Sequence, residues 1–412
     1  MKLANSHLSY CSNIHPGESW KDHFHELKTN LPKIKAAVSP DQDFGLGLRL
    51  SAQAAKELNH PEEMKEFQNW LADNNIYVFT MNGFPYGDFH LKEVKDQVHA
   101  PDWTTKERFE YTKELFDILS QLLDERQEGG ISTSPLSYRF WHEQNSAEWQ
   151  RKRDICTRHI LQIAEYLYQK EVSTTRYMHL DIEPEPDGML EDSQEFISWY
   201  QQELLPMAIG FFKEKYKLDS EQATAIINRY ICICYDVCHF ALEFENHQEC
   251  MKQLKDLNIK IGKFQVSSAL KVKLSEHPEE REKQKAKLKE FNEPIYLHQV
   301  IAKDNEGNLI KYKDLPEALN DSNDLNHVEW RSHFHVPIFL ESYGELDSTQ
   351  KDILEVIELH KAEPRTNHIE VETYTWGVLP KSLQAPIEES IARELNWLLD
   401  KIRSKNEKNC CN

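Results

Sequence analysis

Four short segments carry side chains whose types and places suit a metal ion. They are "MHLDIEPEP" with Glu183, "CICYDVCHF" with Asp236, "IGKFQVSSAL" with Gln265 and "IEVETYTW" with Glu372. Each runs like a buried strand and delivers an oxygen-bearing side chain at its C-terminal end, where a barrel strand places its catalytic groups. Two Glu, one Asp and one Gln make an all-oxygen set, suited to Mn²⁺ or Mg²⁺ and acceptable to Co²⁺ or Zn²⁺. A single acidic residue at a strand end is ordinarily a solvated loop residue, but four at matched ends are not explained that way. An ion so held polarises a carbonyl and its neighbouring hydroxyl. Glu183 and Glu372 are then the expected general base and acid.

The segment "ICICYDVCHF" also holds three cysteines. Strand alternation puts Cys232 and Cys234 on the face of Asp236. They should lie deeper in the core, where a thiol packs as a small apolar group. A zinc reading lacks a fourth ligand and a paired C-x-x-C. His239, three residues after Asp236, reaches the same rim and is expected to bind substrate; the plainer reading is a surface histidine opening a helix. "RSHFHVP" sets Arg331, His333 and His335 on one side of an extended segment. An arginine beside two imidazoles suits the distal end of an oxygen-rich substrate, the alternative being a structural histidine pair. His15 in "NIHPGESW" and His90 in "NGFPYGDFH" follow the first and third strands and face the same rim. "FGLGLRLS" lacks the spacing and acidic partner of a dinucleotide fingerprint, and no GxxxxGK[ST] phosphate loop occurs.

The elements that must position these residues alternate along the chain. Strand-like runs fall at 8–14, 44–50, 76–82, 130–136, 177–183, 230–236, 260–267 and 368–374. Helical runs fall at 18–38, 51–73, 104–123, 146–171, 192–217, 244–257, 349–360 and 387–404. Eight βα units closing on themselves predict a (β/α)8 barrel over residues 1–404. Residues 269–343 read as a long insertion after the seventh strand, over the active-site mouth. It contains a charged helix in "HPEEREKQKAKLKEF" and a hairpin around 305–308. Residues 405–412, with Cys410 and Cys411, read as a disordered tail. Two residues before each ligand stand Asp181, Cys234, Lys263 and Glu370, which alternation also turns inward. Such a layer is usually aliphatic, so Lys263 is expected to bridge Glu370 and Asp181 in a buried network.

The 412 residues include 49 Lys+Arg against 69 Asp+Glu, a formal net charge of −20. That charge repels phosphate backbones, so no nucleic-acid partner is expected. No window approaches the roughly 18 apolar residues of a membrane span, and the first twenty residues lack a signal-peptide core. The expectation is a cytoplasmic protein with reduced thiols, no membrane insertion and a small-molecule metabolite as partner.

The four strand ends resemble the xylose isomerase-like barrel superfamily, which includes ketose 3-epimerases, hydroxypyruvate isomerases and endonuclease IV. The resemblance implies one divalent metal on Glu183, Asp236, Gln265 and Glu372, with Gln265 similar to the hydroxypyruvate isomerase variant. "SYCSNIHPGESW", "FTMNGFPYGDFH", "ISTSPLSYRFW", "CYDVCHFALEFE", "HFHVP" and "EVETYTWGVLP" together are similar to the metabolite traffic protein EboE family. That family is encoded beside a prenyltransferase in bacterial and algal-plastid gene clusters. The implied function is isomerase or epimerase chemistry on a small hydroxy-carbonyl, sugar-like metabolite through an enediolate. The alternative is a metal-dependent carrier without turnover. A more distant one is endonuclease IV-like phosphodiester hydrolysis, against which the acidic charge stands.

Overall fold

The computed structural model describes residues 1–3, 6–87, 94–124, 127–321, 324–379, 381 and 384–404. His90 and the segment 405–412, with Cys410 and Cys411, lie outside the described residues.

Eight parallel strands form one sheet: His7–Tyr10, Phe44–Arg49, Ile76–Asn82, Gly129–Thr133, Met178–Ile182, Ile231–Asp236, Ile261–Val266 and His368–Val371. The first strand pairs with the last, and from the third strand onward each pairs with its predecessor in the chain. A parallel bridge between Cys11 and Gly47 joins the first strand to the second and closes the ring. The chain is therefore a (β/α)8 barrel. The second, sixth and seventh strands are buried along their whole length, as expected where both faces are covered.

Proline and capping chemistry explain where helices depart from the periodic pattern. The run 51–73 divides into Ala52–Leu58 and Pro61–Asp73, because Pro61 has no N–H and opens a new first turn. The run 192–217 divides into Ser193–Trp199 and Leu205–Tyr216 around a wide turn at Tyr200–Leu204, just ahead of Pro206. A helix at Ser220–Tyr230 is new; its signal is the reciprocal capping box of Asp219 and Gln222.

Between the seventh and eighth barrel strands the chain builds a second sheet of six strands, every pairing antiparallel. The turn at 305–308 joins Val300–Asp304 to Leu309–Tyr312, and the charged stretch forms the helix Pro278–Leu288. This sheet carries Gln299, His333 and His335 to the barrel mouth. Among the described residues, no helix is long and apolar enough to cross a membrane.

The barrel interior is polar below the mouth. Asp181, Lys263 and Glu370 are all 0% exposed. Lys263 Nζ lies 2.7 Å from Glu370 Oε1, as the alternation predicts. Asp181, however, pairs with His179 at 2.5 Å, and the other nitrogen of His179 is 3.1 Å from Glu128. Burial alone would depress the His179 pKa, but Asp181 and Glu128 hold it at about 10. Glycines make room for the carboxylates. A Cβ at Gly47 would meet Glu370 Oε2 at 1.6 Å, and one at Gly262 would meet Asp181 Oδ1 at 1.9 Å. The glycines of "FGLGLRLS" thus include one that admits a buried charge.

Lys263→Met should cost about 3–5 kcal/mol, because it leaves Glu370 as an uncompensated buried charge. Lys263→Met/Glu370→Leu should recover most of that loss. Denaturant unfolding of both proteins checks this, and a Lys263→Met protein as stable as wild type would contradict it.

Candidate metal centre

Three carboxylates meet where the fifth, sixth and eighth strands end. Glu183 and Glu372 stand one residue past their strands and Asp236 is the last residue of its own. Oxygens of the three lie within 4.8 Å of one another. Gln265, on the seventh strand, points its Nε2 into their midst, 2.9 Å from Glu183 Oε1, 2.9 Å from Asp236 Oδ2 and 2.5 Å from Glu372 Oε2. An amide nitrogen has two hydrogens and here faces three acceptors. Glu183 Oε2 is buried without a hydrogen-bond partner. The pocket therefore holds more acceptors than donors, which fits a cation. Gln265 can offer a metal only its amide oxygen, so a bound ion requires the amide to turn over.

The remaining oxygens are fixed from outside the cage. Asp236 caps the helix Val237–Leu242, and its Oδ1 accepts from the Cys238 N–H (2.7 Å), the His239 N–H (3.3 Å) and the Ser267 hydroxyl (2.5 Å). Only Oδ2 is left to face the cage. Glu372 Oε1 accepts from Asn13 Nδ2 (2.7 Å) and Asn82 Nδ2 (2.9 Å), which leaves Oε2 inward. Asn13, Asn82 and Ser267 were not singled out from the sequence. Asn82 ends the third strand, and Asn13 follows the first, so strand-end position was the available signal.

His239, His333 and His335 gather beside the cage. His239 Nδ1 donates to the Pro184 carbonyl (2.9 Å), His333 Nδ1 to Gln299 Oε1 (2.9 Å) and His335 Nδ1 to the Glu372 carbonyl (3.1 Å). Each ring thus presents Nε2 as a lone pair. The Nε2 atoms of His239 and His333 are 3.2 Å apart, and that of His335 is buried without a partner. Ligand atoms of Asp236, His239 and His335 also lie within 4.8 Å of one another.

The structure does not bring Arg331 or His15 to this place. The Arg331 guanidinium lies 3.8 Å over the Phe244 ring, with Nε 2.8 Å from Glu329, and Nη1 donates to the Ala241 carbonyl. His15 Nε2 lies 2.8 Å from the Tyr10 hydroxyl, and His15 does not line the cavity. Glu185 and His99, paired at 2.9 Å, do line it, as does Tyr374.

The cavity above the cage measures about 80 Å³. At 10–15 Å³ for each water, that is room for roughly five to eight waters, the scale of a small metabolite. Burial, and then the charges of Glu372 and Asp236, push the Glu183 pKa well above the usual carboxylate range. Burial, Asp236 and Glu370 do the same to Glu372. Burial also pushes Asp236 upward, but His239, His335 and the bonds from Ser267 and Gln265 win and bring it below its usual value. Both shifts favour the protonated glutamates over full ionisation of the cage, and a divalent ion would compete with those protons. Burial lowers His335 to about 4, so it stays neutral and available as a ligand.

The chain matches no protein-family model and no curated protein. Solved structures similar to it include the IOLI protein with a bound zinc atom, at 11% identity and TM-score 0.47, covering 96% of this chain and 98% of that one. The probable 3-DHS dehydratase AsbF of Bacillus anthracis is 13% identical, with TM-score 0.44 and coverage of 95% and 98%. A xylose isomerase domain protein from Alicyclobacillus acidocaldarius is 9% identical, with TM-score 0.43 and coverage of 96% and 97%.

The raised glutamate pKa values set a pH dependence. Protonated Glu183 and Glu372 contribute fully below the unfolded pKa of about 4.3. That contribution is lost as pH climbs toward the raised folded values, by up to about 1.4 kcal/mol per pH unit for each group. Metal-free Glu183→Gln/Glu372→Gln protein should therefore become progressively more stable than metal-free wild type between pH 5 and pH 8. Urea titrations across this range check it. A stability difference that does not change with pH would contradict the assignment.

Proposed function

We propose that the protein is a divalent-metal-dependent isomerase or epimerase of a small hydroxy-carbonyl, sugar-like metabolite, of the metabolite traffic protein EboE family that its sequence resembles. One observation carries this reading. Of the four oxygen ligands, Glu183 and Glu372 line the cavity, whereas Asp236 and Gln265 lie beneath it. Asp236 and Gln265, which do not line the cavity, would anchor the ion, and the two glutamates would face both ion and substrate.

A divalent ion held there supplies Lewis-acid polarisation of a substrate carbonyl, which makes the adjacent C–H acidic. Glu183, ionised, takes the proton from that carbon, and the C–H pair becomes a C=C bond as the carbonyl π pair moves onto oxygen. Glu372, which keeps a proton, delivers it to the other face or to the neighbouring carbon and is left ionised. The roles of the two glutamates exchange in the reverse direction. Asn13 and Asn82 hold Glu372 in place through its outer oxygen, so its inner oxygen keeps one orientation throughout. His239, with its ring fixed by the Pro184 carbonyl, accepts a hydrogen bond from a substrate hydroxyl through Nε2. With Arg331 turned away, Glu185 and His99 on the cavity wall take the distal hydroxyls.

The test is solvent exchange. Manganese-loaded protein incubated in D₂O with a panel of ketoses and hydroxy-ketones should incorporate deuterium beside the carbonyl of at least one of them, read by proton NMR. Glu183→Gln and Glu372→Gln should each slow that exchange by about 10²-fold or more. Tight binding of a panel member without any exchange would replace the isomerase reading with the carrier reading.

A further inference from the structure

The strand that delivers Asp236 begins at the opposite, closed end of the barrel, and its first cysteine has company there. Ligand atoms of Cys232, His179 and Asp181 lie within 4.8 Å of one another, and all three residues are buried. They supply one sulfur, one nitrogen and one oxygen. His368, on the eighth strand, is 0% exposed, and neither of its ring nitrogens has a hydrogen-bond partner among the described residues. Its ring lies 5.3 Å from that of His179. Asp181 Oδ2 is likewise buried and unpartnered.

Gly130 shows where these unpartnered atoms aim. A Cβ at that position would stand 2.9 Å from Asp181 Oδ2, 3.0 Å from His368 Nδ1 and 2.5 Å from His179 Cε1. Asp181 Oδ2 and His368 Nδ1 therefore both border space that only glycine leaves open. The protein's own hydrogens do not reach them. The proton between His179 and Asp181 satisfies Oδ1, and the far nitrogen of His179 turns to Glu128.

We propose that the barrel floor is a second metal site, a structural one, in which His179, Asp181, Cys232 and His368 bind a single Zn²⁺. The donor set suits that ion. Zinc accepts nitrogen, oxygen and thiolate together, and a structural site closes on four protein ligands with no open position. The sequence hides this arrangement because the ligands come from three different strands and include no paired cysteines. Uptake is balanced in charge. The Cys232 thiol loses its proton and the His179–Asp181 pair loses the one between its members, so one Zn²⁺ enters as two protons leave. The ion would tie the fifth, sixth and eighth strands together beneath the mouth without touching the substrate.

Sulfur distinguishes this site from the carboxylate cage. Chelator-treated Glu183→Gln/Glu372→Gln protein should take up one Zn²⁺ per chain, and zinc X-ray absorption should show one sulfur at about 2.3 Å. Adding Cys232→Ser should abolish the sulfur shell, and adding His368→Gln should weaken uptake at least tenfold. If Cys232→Ser does not fold, Cys238→Ala in the same background serves: the sulfur shell must persist there, and its loss would place the zinc beside His333 and His335 instead. Failure to bind zinc, zinc with no sulfur neighbour, or a sulfur shell that survives Cys232→Ser would each overturn the proposal. So would a crystal structure of zinc-treated protein with only a water between Asp181 Oδ2 and His368 Nδ1.

Discussion

Three carboxylates share one buried point at the barrel mouth, and their mutual repulsion is the constraint around which the interior is arranged. Like charges at this separation in a desolvated site cannot all ionise unaided. Two of the carboxylates are held by their outer oxygens, Asp236 by a helix N-terminus and Ser267 and Glu372 by two asparagines, while Glu183 Oε2 is left without a donor among the described residues. The inner oxygens are left with the Gln265 amide as their shared donor. Buried carboxylates gathered in this way are costly unless a cation or protons compensate them.

The layers below follow from the same demand. An aliphatic layer would leave the carboxylates facing a low dielectric on one side. In its place stand the Lys263–Glu370 pair and the Asp181–His179–Glu128 chain, packed into space vacated by Gly47 and Gly262. A network of buried ionic groups adds little net stability against well-packed hydrophobic residues. What it supplies is register, because one charged pair pins the seventh strand to the eighth and another pins the fifth strand to the start of the fourth. The second sheet completes the site from above, turning His333 and His335 toward His239 and narrowing the cavity to the size of a small substrate.

Much of this was legible along the chain, and the reasons for the rest are physical. The eight barrel strands and the convergence of Glu183, Asp236, Gln265 and Glu372 at their ends follow from alternation, which carries over unchanged from sequence to pleat. Alternation also placed Lys263 against Glu370. It would have placed His179 in the same inward row as Asp181, but that residue was not read as part of the row. Arg331 was misdirected by the assumption that "RSHFHVP" is one extended segment. The strand ends at Ser332, so Arg331 remains on the sheet and packs on Phe244 while the histidines turn to the mouth. Asn13 and Asn82 are invisible to a search for ionisable groups, since their role is to hold a carboxylate rather than to titrate. The glycines of "FGLGLRLS" lack the spacing of a phosphate-binding loop, and Gly47 instead makes room for the buried Glu370 carboxylate.

The measurement that bears most directly on this account is anomalous diffraction from crystals of the protein soaked in Mn²⁺. A peak is expected among Glu183, Asp236 and Glu372, with metal–oxygen distances of about 2.0–2.5 Å and with the Gln265 amide turned to present its oxygen. A map with no peak there, and with the Gln265 nitrogen still seated between three carboxylates, would contradict it.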